Sequence, residues 1–353
     1  MNAEPPVSGR RFPGEWEPHA ATWVFWPTGA DRYPYGARSD YGEVLRAFRR
    51  LIDVLAAFEP VEVAADPSVA EEARSWLGRR ARVHSVPLDD AWARDAGPTV
   101  TRDGEGLLAL CWRFTGWGGR FGPTGKDARA AARVAGAAGL SVEEPGVAVE
   151  GGAILSDGRG TVFSTAAVLE DPGRHGETAG EAVRSRLEAA LGASRILGLP
   201  SGFAGDDTGG HVDVVASVAP DGAVLLNDCR DADDPNREGS AANRAFLREA
   251  GRETVDVPQP EARFAGDRRL PYSYLNFYPC NGAVLLPAFG DRRDDHARGI
   301  VAERFPDREV VPLEARPFYL GGGGIHCVTQ PVPAFSLALP RGRRQASRVS
   351  GAP

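Results

Sequence analysis

Long apolar segments are missing from this chain of 353 residues. No apolar run approaches the roughly 18 residues that a membrane-spanning helix requires, and the first residues lack the apolar core of a secretory signal peptide. The formal net charge of −7 is also not the positive excess that is typical of nucleic-acid-binding proteins. We therefore expect a cytoplasmic protein without a nucleic-acid or membrane partner, and its acidic balance favours a cationic substrate.

Cysteine is scarce, and its spacing indicates neither a disulfide framework nor a structural zinc site. The four cysteines are Cys111, Cys229, Cys280 and Cys327, and no two of them form a CxxC pair. Structural zinc sites and secreted disulfide scaffolds use clustered or regularly spaced cysteines. A free cysteine is usually a small buried apolar residue, and this is the expectation for the first three.

Phosphate-binding loops are absent as well. The chain contains the glycine-rich segment 116–119, but no GxxxxGK[ST] or GxGxxG motif surrounds it.

Apolar residues make up 42% of the chain and charged residues 25%, which is typical of a globular protein. We predict one catalytic domain over residues 1–340 and a basic, aperiodic and disordered tail over residues 341–353.

Helices and strands alternate along the predicted domain. The clearest helix is predicted over residues 41–58, where apolar side chains recur on one face, Asp40 is a candidate cap and Pro60 ends the pattern. Further helices are predicted near residues 67–77, 127–138, 179–191, 241–250 and 294–305. Strands are predicted over residues 61–65, 82–86, 147–149, 196–199, 254–257 and 309–313.

These elements form a weak repeat. The helices end roughly 50–60 residues apart, a period that is typical of repeat arrays and propellers, and polar glycine-rich segments follow several of the strands. Five such units in a ring would direct these segments towards one axis. The ring would gather Asp95, Glu150, His211, Asp213 and Cys327. A plain α/β domain with coincidental spacing is the alternative.

The most informative segment is 320–330, where four glycines lead into Ile325, His326 and Cys327. Glycine lets the backbone approach a ligand closely and adopt positive φ without strain. A thiol at the end of such a run can be presented in a crowded pocket. Cys327 is therefore a candidate nucleophile.

Two upstream segments, 89–98 and 205–213, carry isolated polar side chains beside glycines. Their candidate functional residues are Trp92, Asp95, His211 and Asp213. A thiol, a histidine and isolated carboxylates together indicate a thiolate enzyme that acts on a cation. A guanidinium group fits, because its planar N–H fork matches carboxylates and its carbon requires a strong nucleophile. A histidine would protonate the departing ammonia and then activate a water molecule.

Each candidate also has a purely structural interpretation. Asp95 could pair only with Arg94 or cap a turn, and Glu150, which precedes two glycines, could be a turn residue. His211 and Asp213 could form half of a metal site, but no second cluster of metal ligands accompanies them. We therefore expect no metal and no other cofactor.

Six segments, in order, resemble the agmatine deiminase and Porphyromonas-type peptidyl-arginine deiminase family of the guanidino-group-modifying superfamily. The resemblance runs from about Pro13 to Pro333, which is nearly the whole chain. The matching segments are 15–27, 92–98, 150–152, 206–213, 274–278 with 287–291, and 322–330. The resemblance implies an α/β fold, namely a five-bladed propeller of repeated ββαβ-type units, in agreement with the ring drawn from the repeat.

The resemblance also implies roles for individual residues and the absence of a cofactor. Cys327 would be the nucleophile and His211 the general acid and base. Asp95 and Asp213 would hold the guanidinium group. The substrate-binding residues would be Trp92, Glu150 and Asp207.

Four positions depart from the pattern of the agmatine branch, and they leave the tail of the substrate open. Members of that branch usually have asparagine at positions 214 and 324, glutamine at 288 and a tryptophan near 228. This chain has Val214, Asp228, Ala288 and Gly324.

The expected reaction is the hydrolytic deimination of a small cationic guanidino substrate, with agmatine converted to N-carbamoylputrescine and ammonia. Alternatives on the same fold are a peptidyl- or free-arginine deiminase and an amidinotransferase. A metal-dependent ureohydrolase and a non-catalytic binding protein are alternatives of other classes. A homodimer is compatible with the sequence, which specifies no oligomeric state.

Overall fold

The computed structural model describes residues 9–29, 41–104, 106–122, 124–178 and 180–334. These residues form an α/β fold, as the sequence predicts. The predicted cap Asp40 and the predicted tail at 341–353 lie outside the described residues. Within the described ranges, every helix is too short or too polar to cross a membrane.

The helices follow the predicted apolar periodicity and differ from the prediction mainly at their ends. The first helix, Tyr41–Leu55, buries one apolar face that includes Phe48 and Ile52. The helix predicted from residue 67 begins at Ala70, because Asp66 accepts the Ser68 N–H and holds the preceding residues in a turn. That helix ends at Leu77. The remaining helices are Ala93–Ala96, Gly116–Gly119, Ala130–Ala137, Ala166–Leu169, Pro172–His175, Glu181–Leu191, Asn236–Glu249, Asp294–Arg304 and Arg316–Gly321.

Five sheets within the described residues share one pattern of pairing: two antiparallel strands, then a helix, then a third strand parallel to the second. The first sheet contains Thr329–Pro333, His19–Phe25 and Val61–Ala65. The other four contain Thr99–Asp103, Gly106–Leu110 and Ser141–Glu143; Leu155–Ser156, Thr161–Thr165 and Arg195–Leu199; Ala216–Val218, Val224–Asp228 and Thr254–Pro258; and Tyr278–Cys280, Ala283–Ala288 and Glu309–Glu314. A separate hairpin pairs Arg263–Ala265 with Arg268–Leu270.

One sequence prediction about the strands is wrong. Residues 147–149 belong to no sheet, and the parallel strand of the second sheet is Ser141–Glu143 instead. Val147 and Val149 pack in an apolar cluster with Trp112, so their apolar pattern reflects burial and not strand pairing. The predicted strand at 82–86 is confirmed at residues 82–85, where it extends the first sheet beside Val61–Ala65.

The first sheet joins the two ends of the described chain. Thr329–Pro333 pairs with His19–Phe25 in antiparallel register, and the Ala334 N–H donates to the Pro18 carbonyl at 2.7 Å. The beginning and the end of the described chain are therefore parts of one folding unit.

Four single helical turns, together with the residue just before each, contain six of the seven candidate functional residues, and Asp207 is the exception. They are Ala93–Ala96, Gly151–Ala153, Val212–Val214 and His326–Val328. The first turn contacts the second and the fourth, and the second contacts the third. Segments that are far apart in the sequence therefore meet in one place.

Candidate active site

The thiol of Cys327 lies in the turn His326–Val328 and is buried, with the residue 6% exposed. The glycine run before it is required by close contacts. A Cβ atom on Gly323 would lie 3.0 Å from Cys327 Sγ and 2.8 Å from the ring of Trp92. Gly322 has φ of 119° and ends the preceding helix. The run therefore brings bare backbone against the thiol, as the sequence predicts.

The immediate partners of the thiol are an amide and a carboxylate. Asn276 Nδ2 donates to Cys327 Sγ at 3.3 Å, and Sγ lies 3.6 Å from Asp213 Oδ2. Burial, together with the negative charges of Asp213 and Asp95, holds the pKa of the Cys327 thiol well above its usual value. The thiol is therefore protonated at neutral pH unless a positive charge is brought close to it.

Asp213 is fixed by a line of charged groups. His326 Nδ1 lies 2.8 Å from Asp213 Oδ2, and His326 Nε2 lies 3.1 Å from Glu15, which pairs with Arg94. Burial favours the protonated form of Asp213, but the hydrogen bond and charge of His326 outweigh it and lower the pKa of Asp213. Among the described residues, Asp213 Oδ1 has no hydrogen-bond partner, so one buried oxygen remains able to accept from a ligand.

His211 is held by Glu150. His211 Nε2 lies 3.2 Å from Glu150 Oε2, which also accepts a hydrogen bond from Arg174 Nε at 2.9 Å. Burial alone would lower the pKa of His211, but the charge of Asp95 and the hydrogen bond to Glu150 raise it to about 9. His211 Nδ1 lies 3.8 Å from Asp95 Oδ1 and has no hydrogen-bond partner within the described ranges. Its imidazolium can therefore act as a proton donor.

Asp95 receives two hydrogen bonds from uncharged donors. The Gly152 N–H donates to Oδ1 at 3.1 Å, and Trp117 Nε1 donates to Oδ2 at 2.9 Å. Burial raises the pKa of Asp95 to about 6, and the charge of Asp213 adds to this effect. Asp95 is therefore mostly ionised at neutral pH but titrates close to it.

Gly152 is the point around which these groups meet. A Cβ atom there would lie 2.6 Å from His211 Nδ1, 2.9 Å from Asp95 Oδ1 and 3.0 Å from Asp213 Oδ2. The structure thus brings together the four residues for which the resemblance implies catalytic roles, because Asp213 also contacts Cys327.

The segment before His211 is shaped by Asp206. Its carboxylate accepts hydrogen bonds from the backbone N–H groups of Thr208, Gly210 and His211, each at 2.9 Å. Asp207 instead forms an ion pair of 2.7 Å with Arg268. The two adjacent aspartates therefore have different functions, one structural and one at the surface of a pocket.

That pocket leads to the thiol and has a volume of about 70 Å³. Its lining residues are Asp90, Trp92, Asp95, Trp117, Phe121, Asp207, Thr208, Gly321, Gly322, Gly323 and Cys327. Three of these side chains are carboxylates, three are aromatic, and none is a lysine, arginine or histidine. Such a lining is complementary to a cation with an apolar stem.

Comparison with known proteins identifies the family. The model of Porphyromonas-type peptidyl-arginine deiminases matches residues 11–333. The chain belongs to this deiminase family.

Relatives and solved structures agree with this assignment. A Streptomyces coelicolor protein named "Putative agmatine deiminase" is 41% identical over 342 residues, which cover 92% of this chain and 98% of the relative. A Streptomyces avermitilis protein of the same name is 39% identical over 343 residues, covering 93% and 99%. The agmatine deiminase structure of Enterococcus faecalis has a TM-score of 0.86 at 26% identity and covers 95% of this chain and 99% of its own. The resemblance stated from the sequence is confirmed.

Several residues that the sequence analysis of this deiminase identified do not line the pocket. Glu150 is fully buried and contacts His211 and Arg174. Like His211 and Asp213, it is not among the lining residues. The four positions that depart from the agmatine pattern are also not among the lining residues. Gly324 is explained by packing, since a Cβ there would lie 2.3 Å from Asn276 Oδ1 and 2.7 Å from the Tyr319 hydroxyl.

Several site residues were missed by the sequence analysis. Trp117 is the one non-glycine residue with positive φ in the described part of the chain, at 57°. The glycines of segment 116–119, which fit no phosphate loop, allow this left-handed turn and place the indole N–H on Asp95. Asn276 lies inside a segment that carried the resemblance, but Arg174 had no sequence signal.

We predict that Gly152→Ala inactivates the enzyme without unfolding it. The added methyl group must displace His211, Asp95 or Asp213, and a displacement of about 1 Å can reduce kcat/KM about 100-fold. Steady-state kinetics and circular dichroism check this. Gly136→Ala is the matched control, since its Cβ meets nothing within 4 Å. Equal activity of the two variants would contradict the arrangement around Gly152.

Proposed function

We propose that this enzyme hydrolyses agmatine to N-carbamoylputrescine and ammonia through a covalent intermediate on Cys327. The observation that carries the proposal is a buried thiol beside the carboxylates of Asp213 and Asp95, at the end of a pocket lined by further carboxylates. A thiol in such surroundings becomes a nucleophile only when the ligand brings a positive charge. A guanidinium group supplies that charge and also the carbon to be attacked.

Binding of the guanidinium group requires acceptors on more than one side. Asp95 and Asp213 supply them, and the unpartnered Oδ1 of Asp213 supports this role. Trp92 lines the pocket next to Cys327, where its ring can lie against the planar cation. Glu150 acts through His211, because its carboxylate lies 3.2 Å from His211 Nε2.

The first half of the reaction releases ammonia. The bound cation lowers the pKa of the Cys327 thiol, the thiol proton passes to solvent, and the thiolate attacks the guanidino carbon to form a tetrahedral adduct. The bond from carbon to one terminal nitrogen then breaks, and protonated His211 donates its proton to that nitrogen. Ammonia leaves, and an amidino group remains attached to sulfur.

The second half restores the thiolate. Neutral His211 removes a proton from a water molecule, which attacks the amidino carbon. The carbon–sulfur bond breaks, the hydroxyl proton of the adduct passes to solvent as the ureido product forms, and His211 is again protonated. The hydrogen bond from Asn276 to Cys327 Sγ supports the sulfur when it carries negative charge as the leaving group.

Agmatine is the substrate that the pocket supports best. Its tail ends in an ammonium group, which the carboxylates of the lining attract, whereas the carboxylate of free arginine would meet like charge. The names of the Streptomyces relatives and of the Enterococcus faecalis enzyme support the same substrate. Arginine remains the second candidate, since a Porphyromonas gingivalis structure called "Putative Arginine Deiminase" is 30% identical with a TM-score of 0.84.

We infer that the five sheets are the blades of one α/β propeller within a single catalytic domain. Their common pairing pattern supports this arrangement, and so does the first sheet, which combines strands from both ends of the described chain. The contacts among the four single turns are those expected where blades converge on an axis.

A metal-dependent ureohydrolase would need a cluster of metal ligands. The described ranges contain no group of three His, Cys, Asp or Glu side chains arranged to hold a metal ion. Metal-free catalysis remains a prediction, and the products distinguish the two reactions because a ureohydrolase releases urea.

We predict that the purified enzyme forms equal amounts of ammonia and N-carbamoylputrescine from agmatine and forms no urea. Because the lining is acidic, kcat/KM for agmatine should exceed that for free arginine by at least about fivefold. Chromatography of the products and an ammonia assay over agmatine, arginine, a peptidyl-arginine and methylated arginine check this. Urea among the products, or a preference for arginine, would contradict the proposal.

We predict that Cys327→Ala lowers kcat on the order of 10⁴-fold or more, as removal of a nucleophile does. Mass spectrometry of acid-quenched turnover should find an amidino group on the peptide that contains Cys327. Alanine at Cys111, Cys229 or Cys280 should leave turnover intact, because these thiols lie outside the pocket lining. An amidino adduct on any of these three cysteines would show that this cysteine, and not Cys327, is the nucleophile.

We predict a bell-shaped dependence of kcat/KM on pH. Asp95 binds the cation only when ionised, so activity should fall as pH decreases through its pKa of about 6. His211 donates a proton only when charged, so activity should also fall as pH rises through about 9. n-Butylguanidine has no ionisable group in its tail, and its kcat/KM should fall at the same acidic and basic pH values as that of agmatine. A level profile from about pH 5 to about pH 10 would rule out these roles.

A further inference from the structure

One carboxylate of the pocket is already paired with a cation of the chain. Asp207 lines the pocket with Cys327, and its Oδ2 accepts a hydrogen bond of 2.7 Å from Arg268 Nη1. The side chain of Asp207 is 31% exposed, whereas that of Asp95 is 4% exposed. Asp207 therefore belongs to the outer part of the pocket, where the tail of a bound guanidino compound would lie.

Arg268 reaches Asp207 from outside the pocket. It begins the hairpin strand Arg268–Leu270 and is not among the lining residues. Its Nη2 donates to the Leu320 carbonyl at 3.2 Å, at the end of the helix that precedes the glycine run. The guanidinium of Arg268 thus connects the segment before His211 to the segment before Cys327.

The ion pair reduces the negative charge that Asp207 presents to a ligand. Arg268 Nη1 occupies one oxygen of the Asp207 carboxylate, so a second cation at the same carboxylate meets both fewer acceptor positions and a like charge. Both side chains are partly exposed, at 31% for Asp207 and 21% for Arg268. Water therefore weakens the pair, and a ligand can share or exchange it at small cost.

We propose that Arg268 is a specificity-determining residue that competes with the terminal ammonium of the substrate for Asp207. The inference rests on the proposed function, since it concerns the tail of the same substrate. A guanidino compound with an uncharged tail forms no ion pair with Asp207, so Arg268 does not compete with it. Arg268 therefore limits the advantage of a dicationic substrate over a monocationic one.

The test compares agmatine with n-butylguanidine, which has the same chain length but lacks the ammonium group. Arg268→Gln should lower KM for agmatine roughly two- to fivefold, the range expected for a partly exposed charge interaction. It should leave KM for n-butylguanidine and kcat for both compounds unchanged. Arg268→Lys keeps the positive charge and should retain the wild-type KM values.

Arg263→Gln is the matched control, because Arg263 lies on the other strand of the same hairpin and pairs with Glu261 at the surface. It should change neither KM value. If Arg268→Gln changes both KM values equally, Arg268 only links the two segments and the inference is overturned. A rise in KM for agmatine overturns it as well. Wild-type enzyme that converts neither compound would overturn the proposed function, and this inference with it.

Discussion

The site depends on holding three carboxylates away from water beside one thiol. Glu150, Asp213 and Asp95 are 0%, 1% and 5% exposed, and burying a charge is costly unless an opposite charge accompanies it. Their cationic neighbours are Arg174, His326 and His211. Each of these carboxylates thus has a cationic partner in the surrounding protein. The pocket itself is lined by carboxylates without lysine, arginine or histidine, so it remains acidic. This asymmetry makes a cation the ligand that the site can stabilise.

Charge compensation extends outward through two lines of ion pairs. One line continues from Glu150 to Arg174, Asp171 and Arg120, and the other from Asp213 to His326, Glu15 and Arg94. Removing one member of a buried line leaves a charge without a partner, which is strongly destabilising. The catalytic geometry and the stability of the fold therefore depend on the same side chains.

The sequence was sufficient to predict residues whose surroundings are local. Cys327 after four glycines and His211 beside glycines and aspartates could be recognised because their turns are encoded next to them. Arg174 and the pairing of Asp207 with Arg268 could not be predicted, because each involves segments that meet only in the folded chain. The strand wrongly predicted at 147–149 has a similar origin, since burial and strand pairing give the same short apolar pattern. The residues that form ion pairs around the site could therefore be identified only from the structure.

The shared sheet of the two chain ends has a consequence for biosynthesis. While the chain is being translated, His19–Phe25 has Val61–Ala65 on one side, but its other edge has no strand until Thr329–Pro333 leaves the ribosome. An unpaired strand edge can recruit other chains, and this one remains open for most of synthesis. Because Cys327 lies two residues before the closing strand, the proposed nucleophile and the final pairing partner emerge together. A nascent or prematurely terminated chain therefore has neither a completed first sheet nor the Cys327 thiol in its pocket.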